Sequence, residues 1–179
     1  MNLELIRLSP DSKDRKYFEQ INDDAFPLSE RMSFDEIFDF AADTDTDVLG
    51  IYDAGNPIGF AVLLKNTECG YVYFIAIDSC TRSKGYGGAA IQRLMELYPK
   101  LQLVLDFEVI DENAENNEQR VRRKNFYLRN GFHETGNYTM LRDERFEVVC
   151  NGGELRKAAL KDLLHILHKH RPEFPDILI

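Results

Sequence analysis

The sequence lacks the features that mark membrane, secreted or nucleic-acid-binding proteins. No apolar stretch approaches the ~20 residues that a membrane-spanning helix requires, and the first residues show neither region of a signal peptide. Lysine and arginine number 22 against 31 aspartates and glutamates, giving a net charge of −9. This balance disfavours a general binder of nucleic acid or anionic membranes. We therefore expect a cytoplasmic protein with neither a nucleic-acid nor a membrane partner.

Cysteine is also scarce, and its spacing excludes the common zinc motifs. The chain contains Cys69, Cys80 and Cys150, an odd number without CxxC spacing, which predicts reduced thiols and no metal site. Cys80 lies close to a glycine-rich segment, where it serves either as a nucleophile or as a small filler residue. The length of 179 residues is typical of one domain, residues 1–179, with a sizeable core.

The apolar pattern predicts strands and helices in the order β-α-α-β-β-β-α-β-α-β-β-α, with no linker. Ser33 and Glu36 form a capping box that opens the second helix. Apolar residues at every second position predict the strands, and apolar residues at helical spacing predict the other helices. The predicted strands are 3–8, 48–52, 58–64, 71–77, 101–110, 132–141 and 145–150, and the other helices are 11–26, 87–98, 119–130 and 154–170.

The most informative segment is the glycine-rich run 82–88, between a predicted strand and a predicted helix. Such a turn directs several backbone N–H groups and the positive end of a helix at one point, which favours phosphate binding. A P-loop requires GxxxxGK[ST], which is absent. A dinucleotide fold requires GxGxxG after the first strand of a βαβ unit, whereas an antiparallel meander is predicted here. The third pattern, [Arg/Gln]-x-x-Gly-x-[Gly/Ala], is satisfied by Arg82, Gly85 and Gly87.

Two motifs together resemble the GNAT superfamily, the Gcn5-related N-acetyltransferases. Residues 71–98 resemble its motif A, and the segment 125–132, NFYLRNGF, resembles its motif B, LY-x-x-x-GF. The resemblance implies an α+β, three-layer fold with a mixed, mostly antiparallel seven-stranded sheet flanked by helices. The helix at 154–170 is then an extra C-terminal one, 1–47 holds the acceptor-side helices, and 101–132 is the motif B region.

The resemblance implies acetyl-CoA as the cosubstrate and assigns residues to it. The implied pyrophosphate residues are Arg82, Ser83, Lys84, Gly85, Tyr86, Gly87 and Gly88. The pantetheine arm is expected to pair with the backbone of Phe74, Ile75, Ala76 and Ile77. Glycines in the turn have no Cβ to block the approach of a phosphate. The side chains of Ile75 and Ile77 are equally expected in the core, because the cosubstrate uses only their backbone.

The resemblance also implies an acid for the leaving thiolate and a group that polarises the acetyl carbonyl. Tyr127 occupies the position of the motif B tyrosine, which commonly acts as the general acid, and the alternative is a core tyrosine that packs its helix on the sheet. The backbone N–H of Ile77 is the expected carbonyl donor. No metal and no covalent intermediate are implied.

The sequence offers several candidates for the general base that accepts the amine proton. Some members of the family carry a glutamate where this sequence has Tyr71. Glu108 is the first candidate, with Asp106 on the same strand face, where paired carboxylates raise one pKa. The alternative for Glu108 is a structural carboxylate. Glu30, in the loop after the first helix, is the second candidate, and a water chain is the third.

The acceptor is expected to be an amine of a small molecule or a peptide, since an acidic protein suits a cationic substrate. Many members of the family carry an asparagine where this chain has Arg120, in the basic run 120–124. That run either contacts the 3′-phosphate of CoA or balances the acidic loop before it. A non-catalytic acyl-CoA-binding module is the alternative function, and a longer acyl chain is a further one. The amphipathic tail is expected either to dock on its own sheet or to join two copies of the chain as a homodimer.

Overall fold

The structure is a computed structural model that describes residues 2–81, 84–174 and 177–179. A 3₁₀ turn, Ser79–Thr81, separates β4 from α3. The elements in chain order are β1 Leu3–Arg7, α1 Arg15–Ala25, α2 Phe34–Asp43, β2 Thr46–Asp53, β3 Asn56–Lys65, β4 Cys69–Ile77, α3 Tyr86–Leu97, β5 Gln102–Glu108, α4 Asn117–Arg129, β6 Phe132–Leu141, β7 Glu144–Asn151 and α5 Lys157–His170.

Seven strands form one mixed sheet in the order β1-β2-β3-β4-β5-β7-β6. The pair β4–β5 is parallel, and the described ladders β1–β2, β2–β3, β5–β7 and β6–β7 are antiparallel. The fold class expected from the sequence is therefore confirmed. None of the helices in the described part of the chain is long and apolar enough to cross a membrane.

The chain divides into two compact units, residues 1–64 with 72–99, and residues 65–71 with 100–179. In the first unit the helices use their apolar faces for burial: α1 buries Phe18 and Ile21, and α2 buries Phe34, Ile37 and Phe40. The predicted capping box is present, with the Ser33 hydroxyl accepting from the N–H of Glu36 and the Glu36 carboxylate accepting from the N–H of Ser33.

The meander of the first unit turns tightly between β2 and β3. Ala54 and Gly55 form a two-residue turn with φ of 49° and 79°, the positive values that match the twist of paired strands. In β3, Gly59 lies so close to β4 that a Cβ there would meet the carbonyl oxygen of Ala76 at 2.3 Å. Only a glycine allows this approach of the two backbones.

The second unit is organised around β5, whose residues 102–105, Phe107 and Glu108 are buried. Gln102 supports the chain that leads into α5: its Nε2 contacts the carbonyl oxygens of Asn151, Gly153 and Glu154 at 3.1–3.2 Å, and its Oε1 accepts from the N–H of Arg156 at 2.8 Å. This bond explains why α5 starts at Lys157 and not at residue 154, as the sequence predicted. The segment before α5 is hydrogen-bonded to β5 instead of continuing the helix.

Candidate active site

The predicted phosphate-binding turn leads into α3 with the expected geometry. Gly85 adopts the left-handed conformation, φ 83°, as the N-cap of α3. No described residue, among 2–81, 84–174 and 177–179, accepts a hydrogen bond from the N–H groups of Tyr86, Gly87 or Gly88. Lys84 is exposed beside them, and Arg82 and Ser83 lie outside the described residues. The start of α3 therefore offers three backbone donors, next to a lysine, to an anion.

The side chain of Tyr86 is used to hold the start of α3 in place. Its hydroxyl donates to Asp53 at 2.6 Å, at the end of β2, and Asp53 also accepts from the N–H of Asn2 at 2.7 Å. The hydrogen bond from Tyr86 lowers the pKa of Asp53, and Asp53 in turn raises the pKa of Tyr86. Because its hydroxyl is engaged with Asp53, Tyr86 contributes its backbone to the turn and its side chain to positioning.

The backbone of β4 is the second expected contact with the cosubstrate. The parallel ladder of β4 covers Cys69 to Tyr71, and the residues that follow, 72–77, take no part in it. The side chains of Ile75 and Ile77 pack against a buried apolar cluster that contains Leu3 and Ile51. Both sequence interpretations of these isoleucines are thus compatible, because their side chains are in the core while their backbone is outside the parallel ladder.

Tyr127 lies on α4 in the second unit, with its ring in an aromatic group. The ring stacks on Phe107 with centroids 5.6 Å apart and an angle of 9° between the planes, and it meets Phe132 edge-on at 5.7 Å. Its hydroxyl has no hydrogen-bond partner in the part of the chain that the structure describes. Burial raises the pKa of Tyr127 to about 12, so the phenol keeps its proton throughout the neutral range.

Asp106, on β5, is held by hydroxyl groups from two other strands. The hydroxyl of Tyr71 on β4 donates to its Oδ1 at 2.9 Å, and the Thr139 hydroxyl on β6 donates to its Oδ2. Burial raises the pKa of Asp106, and these hydrogen bonds oppose the shift. The sequence predicted that pairing with Glu108 would raise the pKa of one of the two carboxylates. The pKa of Asp106 is raised by burial instead.

Glu108 is buried and surrounded by donors. Its Oε1 accepts from Asn116 at 3.0 Å and lies 3.3 Å from Arg120, and its Oε2 accepts from Arg123 at 2.8 Å. Two guanidinium groups and one amide thus occupy the oxygens of Glu108, an arrangement that ties the carboxylate into the protein. These contacts favour the structural alternative for Glu108, which shares the second unit with Tyr127.

Glu30 lies in the turn between α1 and α2, in the first unit. It is half-buried, and its N–H donates to the carbonyl oxygen of Pro27 at 3.0 Å. Nearby, Asn22 on α1 is buried and donates to the carbonyl oxygen of Met32 at 2.8 Å, which fixes the end of this loop. The assignment of Glu30 as a base stays a prediction.

The basic run 120–124 is largely paired within the second unit. Arg120 is buried and contacts Glu144 at 2.8 Å, Arg122 contacts Glu118 at 3.0 Å, and Lys124 contacts Glu147 at 2.9 Å. Only Glu118 belongs to the acidic segment before the run, and the other two partners lie on β7, so the run is paired mainly with the sheet and not with that loop. Among the residues the structure describes, no group of three or more histidine, cysteine, aspartate or glutamate side chains could hold a metal ion.

The seven-stranded mixed sheet with its flanking helices is the fold that the GNAT resemblance implied. The profile described as "Acetyltransferase (GNAT) family" matches residues 15–132, more than half of the chain, so the chain belongs to this family. It is accordingly an acyltransferase of the acetyl-CoA-dependent N-acetyltransferase class, as its motifs predicted.

Solved structures share the fold at low sequence identity. A protein from Bacteroides thetaiotaomicron, described as an acetyltransferase from the GNAT family, is similar with a TM-score of 0.73 and 23% identity, over 93% of this chain and 96% of that one. Spermidine N-acetyltransferase from Vibrio cholerae, in complex with CoA and spermine, gives 0.62 and 17%, over 83% and 94%. Arabidopsis thaliana Naa50, in complex with the bisubstrate analogue CoA-Ac-MVNAL, gives 0.60 and 16%, over 86% and 100%. No curated protein matches the chain.

Three features of the site were not predicted from the sequence. The roles of Tyr71 and Thr139 as donors to Asp106 depend on strand register, which a single sequence does not reveal. The close approach at Gly59 had a signal, since an isolated glycine in an apolar strand marks a bulge or a close backbone contact.

Proposed function

We propose that the chain transfers the acetyl group of acetyl-CoA to an amine of a small molecule or a peptide, by direct attack in a ternary complex. The observation that carries the proposal is the start of α3. Three successive N–H groups without described acceptors, at Tyr86, Gly87 and Gly88, follow a left-handed Gly85. A pyrophosphate is the anion such a turn suits, because the donors converge and the helix dipole adds to them.

The rest of the donor is proposed to lie along the backbone of residues 74–77. An extended pantetheine arm carries amide groups, which pair with a strand as another strand does. The ladder of β4 that ends at Tyr71 supports this proposal. The backbone N–H of Ile77 is proposed to donate to the acetyl oxygen, where negative charge develops during attack.

Tyr127 is proposed to give its proton to the leaving thiolate. The absence of a described partner for its hydroxyl supports this role, because the proton is not committed to a structural bond. With a pKa of about 12, Tyr127 does not ionise by itself near neutral pH. It releases its proton only to a group that becomes strongly basic, and a thiolate expelled into a buried site is such a group.

The acceptor class is proposed from charge and from the neighbours. The chain carries a net charge of −9, which suits a cationic substrate. The neighbours named above include a complex with spermine and one with a peptide-based bisubstrate analogue. A polyamine, another small amine and a peptide N-terminus are therefore the first acceptors to test.

The proposal is tested by two variants and one matched control. Gly87→Glu places a carboxylate at the start of α3, and we expect CoA affinity, measured by calorimetry, to fall at least 10-fold. Gly153→Ala, where a Cβ meets no atom within 4 Å, controls for substitution of a glycine. Unchanged CoA affinity in Gly87→Glu would refute the assigned turn.

Turnover is measured as thiol release with a panel of amines. Tyr127→Phe keeps the aromatic packing and removes only the hydroxyl, so we expect turnover to fall about 10²-fold or more while CoA affinity is preserved. Wild-type turnover in this variant would remove Tyr127 as the acid. Binding of CoA by the unmodified protein without release of thiol for any amine would favour the non-catalytic alternative.

A further inference from the structure

We propose that Asp106 is the general base of the reaction, with Tyr71 and Thr139 as its positioning residues. The inference rests on the proposed function, since it assigns the group that accepts the amine proton. It replaces Glu108, whose carboxylate is bound by Arg120 and Arg123, with a carboxylate two residues earlier on the same strand.

Asp106 and Glu108 accept hydrogen bonds from different kinds of donor. Both described side-chain donors to Asp106 are neutral hydroxyls, from Tyr71 and Thr139. Glu108, by contrast, is already bound by two guanidinium groups and the Asn116 amide, and charged donors make stronger hydrogen bonds to a carboxylate than hydroxyls do. A base must bind a proton in one step and release it in the next, and Asp106 is the better suited of the two.

The carboxylate of Asp106 can accept more hydrogen bonds than its two hydroxyl partners supply. A carboxylate has about four lone-pair positions, and the hydroxyls of Tyr71 and Thr139 take one on each oxygen. The backbone N–H of Asp106 itself takes a further position, which leaves the carboxylate room for a donor from a substrate amine. The side chain is of intermediate exposure. Burial raises the pKa of Asp106, and its hydrogen bonds oppose this shift.

Asp106 and the proposed acid, Tyr127, meet at the same part of β5. The ring of Tyr127 stacks on Phe107, the residue that follows Asp106, with centroids 5.6 Å apart. Burial is the main cause of the raised pKa of Tyr127, and Asp106 adds to it. The groups that face this part of the second unit are Tyr71 from β4, Thr139 from β6, and Arg123 with Tyr127 from α4. Arg123 acts in the opposite direction on Tyr127 and pairs with Glu108.

Asp106 and Tyr127 together account for every proton that moves in the reaction. The amine nitrogen attacks the acetyl carbon, so a C–N bond forms and the C–S bond breaks. The proton lost by the amine goes to the Asp106 carboxylate, and the thiolate takes the proton of the Tyr127 hydroxyl. After the amide and the thiol have formed, Asp106 is protonated and Tyr127 is a phenolate. Transfer of one proton from the acid to the phenolate restores both, and no redox step is involved.

The test compares the pH dependence of kcat at saturating acetyl-CoA and amine, with one amine throughout. Asp106→Asn keeps the shape and one acceptor oxygen, and the hydroxyl that faces the new NH₂ group must turn to accept from it. We expect kcat to fall about 10²–10⁴-fold while calorimetry shows unchanged CoA affinity. Thr139→Val removes one donor that lowers the pKa of Asp106. We therefore expect its acid limb, the pH at which activity is lost on acidification, to move to higher pH. Tyr71→Phe should move the limb in the same direction.

Thr135→Val is the matched control for Thr139→Val. Thr135 is on the same strand, but its hydroxyl donates to the carbonyl oxygen of Val148 at 2.7 Å and not to Asp106, so its acid limb should match the unmodified protein. An acid limb that stays in place in both Thr139→Val and Tyr71→Phe overturns the proposal, even if Asp106→Asn fails to fold.

Two further outcomes separate this inference from the proposed function. If Asp106→Asn raises KM alone and keeps kcat, then Asp106 binds the ammonium group and is not the base. If the unmodified protein acetylates several amines and Asp106→Asn acetylates them equally well, only the inference fails. If the unmodified protein acetylates no amine at all, the proposed function fails and the base assignment falls with it.

Discussion

Replacing Gly59 by alanine tests whether β3 must approach β4 closely at the residues proposed to bind the donor. A Cβ on Gly59 would lie 2.3 Å from the carbonyl oxygen of Ala76 and 3.2 Å from the Cα of Ile77. Both are backbone atoms, so no side-chain rotation relieves the clash. The strands would have to separate by about 0.7 Å to bring the 2.3 Å contact to 3.0 Å, the shortest that real Cβ atoms show.

The neighbouring hydrogen bond sets the magnitude of the effect. The N–H of Asp78 donates to the carbonyl oxygen of Ile58 at 2.8 Å, next to Gly59. An opening of about 0.7 Å stretches such a bond beyond the normal N···O range, which ends near ~3.2 Å. A lost backbone bond costs about 1 kcal/mol and overpacking about 1–3 kcal/mol. We therefore expect Gly59→Ala to lower the free energy of unfolding by about 2–4 kcal/mol, which lowers Tm by about 4–16 °C.

The assay is guanidinium unfolding and thermal melting, with CoA affinity measured by calorimetry on the same preparations. Gly153→Ala, with open space at its Cβ, should stay within about 0.5 kcal/mol of the unmodified protein. We expect CoA affinity to fall about 10-fold in Gly59→Ala only, because the displaced residues are those of the donor strand. Equal unfolding midpoints for the two variants would refute the close approach. A destabilised Gly59→Ala with unchanged CoA affinity would refute its link to the donor.

Three further outcomes follow from other parts of the molecule. Gln102→Leu leaves several carbonyl oxygens and one N–H without their partner, so denaturant unfolding should show a loss of about 2–4 kcal/mol, whereas Gln119→Leu on the exposed face of α4 should show little change. Ser33→Ala removes the helix cap of α2 and should cost about 1 kcal/mol in the same assay, with Ser79→Ala as control. A thiol reagent at pH 8 should modify Cys80 rapidly in the native protein and all three cysteines only after unfolding. The reason is that burial raises the pKa of Cys69 to about 12 and that of Cys150 to about 11, and rapid native modification of either would contradict their burial.

Much of the fold could be predicted because local signals and apolar periodicity agree in this chain. The capping box at Ser33 was identified from residue type and spacing. Boundaries were harder where hydrogen bonds outside the helix decide them. The predicted helix 11–26 starts only at Arg15, because residues 9–12 form a turn in which the N–H of Ser9 donates to the hydroxyl of Ser12.

The site was less accessible to sequence reasoning because its parts meet through strand register. An irregularity in β6 falls between Glu134, which pairs with Val149, and Asn137, which pairs with Val148. It moves Thr139 opposite Phe146, two residues along β7 from Val148, the partner of Asp106, and therefore on the same face of the strand. A regular ladder would have placed Thr139 opposite residue 144 and out of reach. Nothing in residue type or spacing distinguishes these two registers.

The end of the parallel ladder at Tyr71 has a consequence for sequence divergence. If the donor pairs with the main chain of residues 74–77, recognition depends on backbone position and little on side-chain identity. The side chains of Ile75 and Ile77 are then constrained only by their packing against the apolar core. Exchanging them for other apolar residues of similar volume should leave donor binding intact. Such a site tolerates extensive drift of its own sequence, which fits a chain that keeps this fold at 16–23% identity to its structural neighbours.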